Sequence, residues 1–480
     1  MPLHRQAGIL LHPTSLPGPF NSGDFGHDAW RFIEFLATAG VTVWQCLPLG
    51  PTHSDLSPYQ CLSVHAGNPS LISIDWLVDR GWISPHDQGD KTALLHKAYN
   101  EFCARKNDAL SHEFELFKTE EHLWLDDFAL YSTIRQLQKK KPWMQWPAEL
   151  RDRDQSALNR IIKNQSGEIE QQKFVQFVFF KQWLEIRNYA RQHGVQLFGD
   201  MPIFVAHDSA DVWAHRSLFT IDAAGNAQFV AGVPPDYFSE NGQRWGNPLY
   251  NWESMHEDNY EWWIQRIRTQ LKLFDFIRID HFRGFEACWQ IPATAKTAIE
   301  GKWVKAPGKA LLKSLYDAFG SLPLVAEDLG IITDEVIALR DEFGLPGMNI
   351  LQFAFDGSAH NPYLPHNHIQ NSVVYTGTHD NDTASGWYQT LSHEDKARIN
   401  QYLGYDIEHS MPWSLIRCAL ASVARLAIIP MQDLLGLGSE GRMNTPSTTV
   451  NNWRWRFSWE QVPEDVSEKL NAMIHLYGRK

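Results

Sequence analysis

The sequence predicts an α/β fold, a (β/α)8 TIM barrel with large insertions after strands 2 and 3. Three observations predict it. Eight short apolar runs recur along the chain, at 8–12, 41–49, 195–203, 276–280, 322–328, 348–356, 373–380 and 426–433. Several end in acids or amides. Several are followed by a pattern of helical period. Eight parallel strands with polar residues at their carboxyl ends describe a closed barrel with its site on one face. An open doubly wound sheet is the competing architecture. It would be favoured by a G-x-G-x-x-G after the first strand, which is absent.

The first run, Gly8 to His12, is stopped by Pro13-Thr14-Ser15 and reads as a strand and then a loop. Ala29, Phe32, Ile33 and Leu36 recur at helical spacing and predict a helix over 28–40, with Gly40 as its stop. The run from Val41 follows at once, so strand, helix and strand form a βαβ unit of a parallel sheet. A second such helix is predicted over 333–344, with Thr333 as cap and Gly344 as stop.

The interval 50–194 is longer than one crossover helix needs. It opens on the turn-rich Ser57-Pro58-Tyr59 and Ala66-Gly67-Asn68-Pro69 and becomes helical towards 173–191. We read it as a largely helical subdomain on the barrel rim, with Lys139, Lys140 and Lys141 as solvated surface. The interval 204–274 is a second insertion. Its loop 233–252 mixes Pro, Gly and Asn with Tyr237, Trp245, Tyr250 and Trp252. Mobile backbone carrying exposed rings is what a lid needs; a packed Ω-loop is the alternative. Residues 1–480 then form a single barrel domain with two insertions, without internal repeats beyond the βα alternation.

Composition narrows the function. Hydrophobic residues make up 43% of the chain and charged residues 21%, the balance of a soluble globular protein. A net charge of -13 argues against nucleic acid and anionic membrane surfaces as partners. No run approaches the ~18 apolar residues of a membrane span, and no leader peptide is visible. Five scattered cysteines without a CxxC pair suit reduced thiols in the cytoplasm. Twenty tryptophans stand out. They fill a large aromatic core or stack on sugar faces.

The chemistry concentrates at three strand ends. In Phe276-Ile277-Arg278-Ile279-Asp280, alternation puts Arg278 and Asp280 on one face. The arginine is expected to hold the carboxylate ionised, as a nucleophile requires, unless the pair is only a structural ion pair. Glu327 follows an apolar stretch that would raise its pKa and keep it protonated. Asp380, after His379, ends a third strand. Glycosidic bonds are cut by two carboxyls flanking the anomeric carbon, one attacking and one protonating the leaving oxygen. Asp280 and Glu327 fit those roles, with Asp380 and His379 on sugar hydroxyls. The Asp-His and His-Asp pairs also suit a metal-dependent amidohydrolase-type barrel, although that site wants an early His-x-His and only His12 is present. A non-catalytic glucan-binding barrel would be expected to lack one of the acid pair.

Several motifs occur together and in order. They are Ser57-Pro58-Tyr59, Ala66-Gly67-Asn68-Pro69, Gly199-Asp200-Met201-Pro202, Trp245-Gly246-Asn247-Pro248, Arg278-Ile279-Asp280-His281-Phe282-Arg283-Gly284, Ala326-Glu327-Asp328-Leu329-Gly330, Gly377-Thr378-His379-Asp380-Asn381 and Gln432-Asp433-Leu434-Leu435-Gly436. With this set the chain resembles the 4-α-glucanotransferases, or amylomaltases, of the α-amylase clan. The resemblance runs from Gly8 to Trp459.

It implies a retaining enzyme that moves α-1,4-glucan segments between maltooligosaccharides, starch or glycogen-type glucans, without a cofactor or metal and in the cytoplasm. It implies Asp280 as nucleophile, Glu327 as acid/base and Asp380 as the acid that stabilises the transition state. Ser57, Tyr59, Asp200, Gln243, Trp245, Arg278, His281, Asp356, His379 and one of Asn451 or Asn452, with Asn452 preferred, are the implied substrate contacts. The stretch Asn444-Thr445-Pro446-Ser447-Thr448 departs from the family pattern, which has Gly after the Pro. The same acids serve an α-1,4-glucan hydrolase, the second functional expectation.

Overall fold

A computed structural model describes residues 4–105, 109–235 and 239–479. Eight parallel strands form one sheet: Gln6–Leu10, Val43–Gln45, Gln196–Pro202, Phe276–Asp280, Leu324–Ala326, Gly347–Ile350, Ser372–Tyr375 and Leu426–Pro430. Their order in space follows their order in the chain. The first strand pairs with both the second and the eighth. Where the fifth and sixth strands meet, the Ala326 N–H donates to the Pro346 carbonyl at 2.9 Å. The sheet is therefore a nearly closed (β/α)8 barrel.

Each of the eight apolar runs overlaps one strand. The strands are mostly shorter than the runs, because the last residues leave the ladder to carry polar groups. The sixth run bends into the short helix Leu351–Phe353, and the eighth into Met431–Leu434.

Alternation sets two packing layers. Leu10, Val43, Phe198, Phe276, Val325, Met348, Ile350, Val373, Tyr375, Leu426 and Ile428 fill the barrel. Their neighbours Trp44, Leu197, Ile277, Ile279, Ala326, Val374 and Ile429 face outward beneath the helices. Gly8 lies where three strands converge. A Cβ there would meet Ile428 Cδ1 at 2.4 Å and Val43 Cβ at 2.9 Å, so no larger residue fits.

The predicted helices form as His27–Thr38, with Ala29, Phe32, Ile33 and Leu36 buried, and as Asp334–Glu342. Gly40 and Gly344 follow them at φ +73° and +63°, the left-handed turn that ends a helix.

Between the second and third strands, helices run from Ile74–Asp79 to the 27-residue Ser166–Gln192. The long helix is tied to the barrel by Trp183, whose Nε1–H donates to Leu273 O at 2.9 Å. Its Phe174, Phe177 and Phe180 pack on Phe102, Phe114 and Phe117 of this region. Trp44, Trp143, Trp183, Trp213 and Trp263 are fully buried, so much of the tryptophan content is core.

The segment after the third strand differs from the sequence expectation. Phe229–Val233 and Gln243–Pro248 pair in a four-stranded antiparallel sheet with Ala287–Pro292 and Lys302–Lys305, which follow the fourth barrel strand. Within 233–252, Tyr250 is buried, not exposed: its hydroxyl donates to Ile203 O at 2.6 Å. Trp252 packs on Tyr250 and Trp263. Tyr237 lies outside the described residues. Trp245 is half-buried, its ring packed against Phe204 and His281.

Candidate active site

The fourth strand places Arg278 opposite Asp200 of the third. The arginine bridges two acids. Its Nη1 donates to Asp200 Oδ1 and Oδ2 at 2.8 and 2.7 Å, and its Nη2 to Asp280 Oδ1 at 2.9 Å. The Tyr59 hydroxyl adds a third hydrogen bond to Asp200, at 2.8 Å. Burial works against the guanidinium charge, yet Asp200 and Asp280 hold its pKa well above the usual value.

Asp280 departs from the expectation of a permanently ionised carboxylate. Burial pushes its carboxyl up; Arg278 opposes this, while Glu327, Asp200 and Asp380 add to it, and the pKa lies at about 8. The physical reason is that the Arg278 charge is shared. Asp200 takes two of the three carboxylate contacts of the guanidinium, and Asp280 one. The Asp280 side chain keeps 30% of its surface open at the mouth.

Glu327 is locked to the end of the same strand. Its N–H donates to Ile279 O at 3.0 Å, and its carbonyl accepts from Phe282 N–H at 3.1 Å. Its side chain curls back: Oε2 accepts the His281 N–H at 2.6 Å and Oε1 the Leu329 N–H at 3.1 Å. Since His281 follows Asp280, covalent reach alone puts the two carboxyl groups within about 9 Å of each other. His281 stands in the left-handed region, φ 58° and ψ 48°, a strained conformation that turns its N–H onto the acid. Burial raises the Glu327 pKa, against Arg278 and the two N–H donors.

Asp380 ends the loop after the seventh strand. Its Oδ1 accepts from Asn444 Nδ2 at 2.6 Å and lies 3.4 Å from His379 Nε2; its carbonyl accepts from Arg442 Nη2 at 2.7 Å. Buried Asp433 braces both sides of that loop, accepting from Thr376 Oγ1 at 2.6 Å and Ala384 N–H at 2.7 Å. Tyr59 stacks on His379, with centroids 5.1 Å apart and 15° between planes, and Trp453 packs against both rings.

Asn444, Arg442, Trp453 and Asp433 carried no role in the sequence reading. Their signal is weak: each is a single polar or aromatic residue in a turn-rich tail or a short helix, and only closure of the barrel brings the eighth strand's loop over the seventh.

The remaining expected contacts are scattered around this centre. Ser57 Oγ accepts from the Tyr59 N–H at 3.4 Å and so shapes the turn that carries the tyrosine. Trp245 meets His281 edge-on at 4.8 Å, and its Nε1–H donates to Gln243 Oε1 at 3.2 Å. Asp356 is exposed on the sixth strand's loop, where Oδ1 accepts from Ser358 N–H at 2.9 Å. Asn452 is turned inward. Its amide holds Thr445 N–H at 3.0 Å and Thr448 O at 2.9 Å, so it braces the 445–452 loop. Asn451, at φ 63°, is the exposed one of the two.

A narrow cleft lined by His12, His379, Asn381, Gln432, Arg442 and Trp455 among others opens beside Asp380. Among the described residues no group of three or more His, Cys, Asp and Glu side chains is arranged to hold a metal ion.

The chain has close relatives. A family model described as 4-alpha-glucanotransferase matches residues 11–461. The chain is 46% identical over 499 residues to a 4-alpha-glucanotransferase of Thermus thermophilus, covering 100% of both. It is 47% identical over 496 residues to one from a Synechocystis strain, covering 99% of this chain and 98% of that one. Among solved structures it resembles the amylomaltase from Streptococcus agalactiae in complex with acarbose, with a TM-score of 0.95 at 36% identity and 99% of each chain covered.

Proposed function

The chain belongs to the 4-alpha-glucanotransferase family, the amylomaltases, and from that premise we propose how its own residues carry out the transfer. Asp280 is the nucleophile and Glu327 the acid/base. The carboxylate of Asp280 attacks the anomeric carbon of an α-1,4-glucan. The bond to the leaving 4-oxygen breaks as Glu327 gives that oxygen its proton. A covalent glycosyl ester on Asp280 remains. The 4-hydroxyl of an acceptor glucan or glucose then loses its proton to Glu327 and attacks the same carbon, restoring Asp280. Two inversions give net retention.

The cycle needs one proton on the Asp280–Glu327 pair. Two adjacent half-buried carboxyls with raised pKa values retain it at higher pH than an isolated acid does. The Arg278 N–H on Asp280 Oδ1 favours the productive placement, with the charge on Asp280 and the proton on Glu327. Asp380, oriented by Asn444 and Arg442, takes the hydroxyls of the reacting sugar. Tyr59, His379 and Trp245 line its ring faces, and Asp200 fixes Arg278. Asp356, Gln243, His281 and Ser57 complete the contacts, with Asn451, not the inward Asn452, reaching the glucan.

Maltooligosaccharides and starch- or glycogen-type glucans are the proposed donors and acceptors. The setting is proposed to be cytoplasmic, in keeping with five free cysteines. Among the described residues no helix is long and apolar enough to cross a membrane.

The observation that carries this is the His281 N–H on Glu327 Oε2, which ties the second acid to the residue after the first. Incubation with maltotriose tests it. Transfer yields glucose together with maltopentaose and longer chains. A steady rise in reducing ends without longer products would assign the site to hydrolysis.

A further inference from the structure

The motif that closes the fourth strand contains a second arginine, Arg283, to which the transfer steps give no task. It sits in the turn Phe282–Phe285, just after Asp280, and is 5% exposed. A guanidinium gives up much of its hydration at such a depth, and contacts must offset the loss. Two are present. Its Nη1 donates to Ile331 O at 2.5 Å. Its Cζ lies 3.6 Å from the centroid of the Trp303 ring, the face-on contact that suits a planar cation.

These partners belong to different parts of the fold. Trp303 stands in the strand Lys302–Lys305 opposite Trp289, and the two rings meet edge-on at 5.2 Å. The Ala306 N–H donates to Glu286 O at 2.9 Å, which fastens this strand to the chain just after Arg283. Trp303 is therefore a fixed backing for the guanidinium. Ile331 belongs to the loop between Glu327 and the helix Asp334–Glu342. It is exposed, and Gly330 before it turns at φ +84°. Arg283 thus anchors the outer crest of the loop that follows Glu327.

The same loop orients the Glu327 carboxyl. The Leu329 N–H donates to Oε1 at 3.1 Å, while the His281 N–H holds Oε2. Residues 281 and 283 grip residues 327 and 331, and Leu329 lies between the two grips. The Glu327 main chain is fixed on one side by Ile279 and Phe282. On the other side the printed anchor of the crest is Arg283.

We propose that Arg283 is a positioning residue for Glu327: backed by Trp303, it fixes the loop 328–331 so that the Leu329 N–H stays on Glu327 Oε1 and the carboxyl keeps its aim at the leaving oxygen. This rests on the assignment of Glu327 as the acid/base.

A well-aimed acid matters where the leaving group needs a proton, as a sugar 4-oxygen does and fluoride does not. Arg283→Met keeps an unbranched apolar stem and removes the donor and the charge. Its kcat for maltotriose disproportionation should fall about tenfold or more, with KM changed less. Fluoride release from α-maltotriosyl fluoride in the first turnover should stay within about twofold of wild type. Trp303→Leu, at a partly exposed position, should show the same donor selectivity with a smaller loss. Arg283→Lys, which retains a donor for Ile331 O, should recover part of the maltotriose rate.

Equal losses on both donors, a wild-type kcat for maltotriose in Arg283→Met, or a rise in KM at unchanged kcat would overturn the proposal. Should Arg283→Met fail to fold, Trp303→Leu decides by the same comparison of donors. The two levels are distinguishable. A Glu327→Gln that turns over maltotriose normally defeats the acid/base assignment, whereas a donor-selective Glu327→Gln beside an unselective Arg283→Met defeats only the role of Arg283.

Discussion

The N–H of His281 donates to Glu327 Oε2 at 2.6 Å, so the residue after Asp280 holds the acid that faces it. The same left-handed His281 carries a ring whose Nε2 is buried without a partner among the described residues and which meets Trp245 edge-on. Burial lowers its pKa to about 3, so it is neutral at working pH and presents a hydrogen-bonding group rather than a charge. Strand end, acid pair and aromatic ring are joined at one residue.

Burying Asp280 has a consequence for stability. Folding raises the pKa of both members of the Asp280–Glu327 pair, to about 8 for Asp280. Between the ordinary carboxyl range and that value the unfolded chain has released a proton that the native pair still shares, so the pair makes native stability fall as pH rises through the window. Asp280→Asn removes one of the two competing charges and with it the effect. The variant should be inactive, yet melt higher than the wild type near pH 8, with the two midpoints converging below about pH 4. Calorimetry across that range checks it. A midpoint below wild type near pH 8 would contradict it.

Asn444 gives Asp380 Oδ1 a charge-assisted hydrogen bond at 2.6 Å. Such a bond contributes about 1.5–3 kcal/mol. If Asp380 meets the sugar mainly in the transition state, Asn444→Ala should lower kcat about tenfold or more and change KM less. Steady-state kinetics on maltotriose read the split. A rise in KM at unchanged kcat would place Asn444 in ground-state binding instead.

Ser447 occupies φ 65°, a conformation that glycine adopts without strain and serine does not. It is also the position where the resembled family has Gly. Ser447→Gly should stabilise the native chain by up to about 1 kcal/mol, a gain reduced by glycine's freedom when unfolded. Calorimetry should show a midpoint higher by about 1–2 °C. A lower midpoint would mean that the Ser447 side chain contributes more than its backbone strain removes.

The barrel was legible because alternation and helical period are local. Phe276, Arg278 and Asp280 share a face on any strand, and Ala29, Phe32, Ile33 and Leu36 share one on any helix. The three acids were legible because each ends such a run. The antiparallel sheet was not, since pairing Trp289 with Gly232 and with Trp303 is a matter of register between distant segments. Nor was the division of Arg278 between two acids. It depends on Asp200 standing opposite Arg278, and with it the expected full ionisation of Asp280 gave way. Tyr250 and Trp252 read as lid rings because aromatic residues among Pro, Gly and Asn look exposed. Burial against Trp263 and Ile203 is a tertiary fact.

The most direct test of the two-acid assignment is mass spectrometry of Glu327→Gln after incubation with an α-maltotriosyl fluoride. Fluoride leaves without protonation, so the first step should proceed, while release to an acceptor is slowed for want of the base. The expected result is one maltotriosyl adduct on the peptide that contains Asp280. An adduct on another residue, or fluoride release with no adduct while the variant still turns over maltotriose normally, would contradict it.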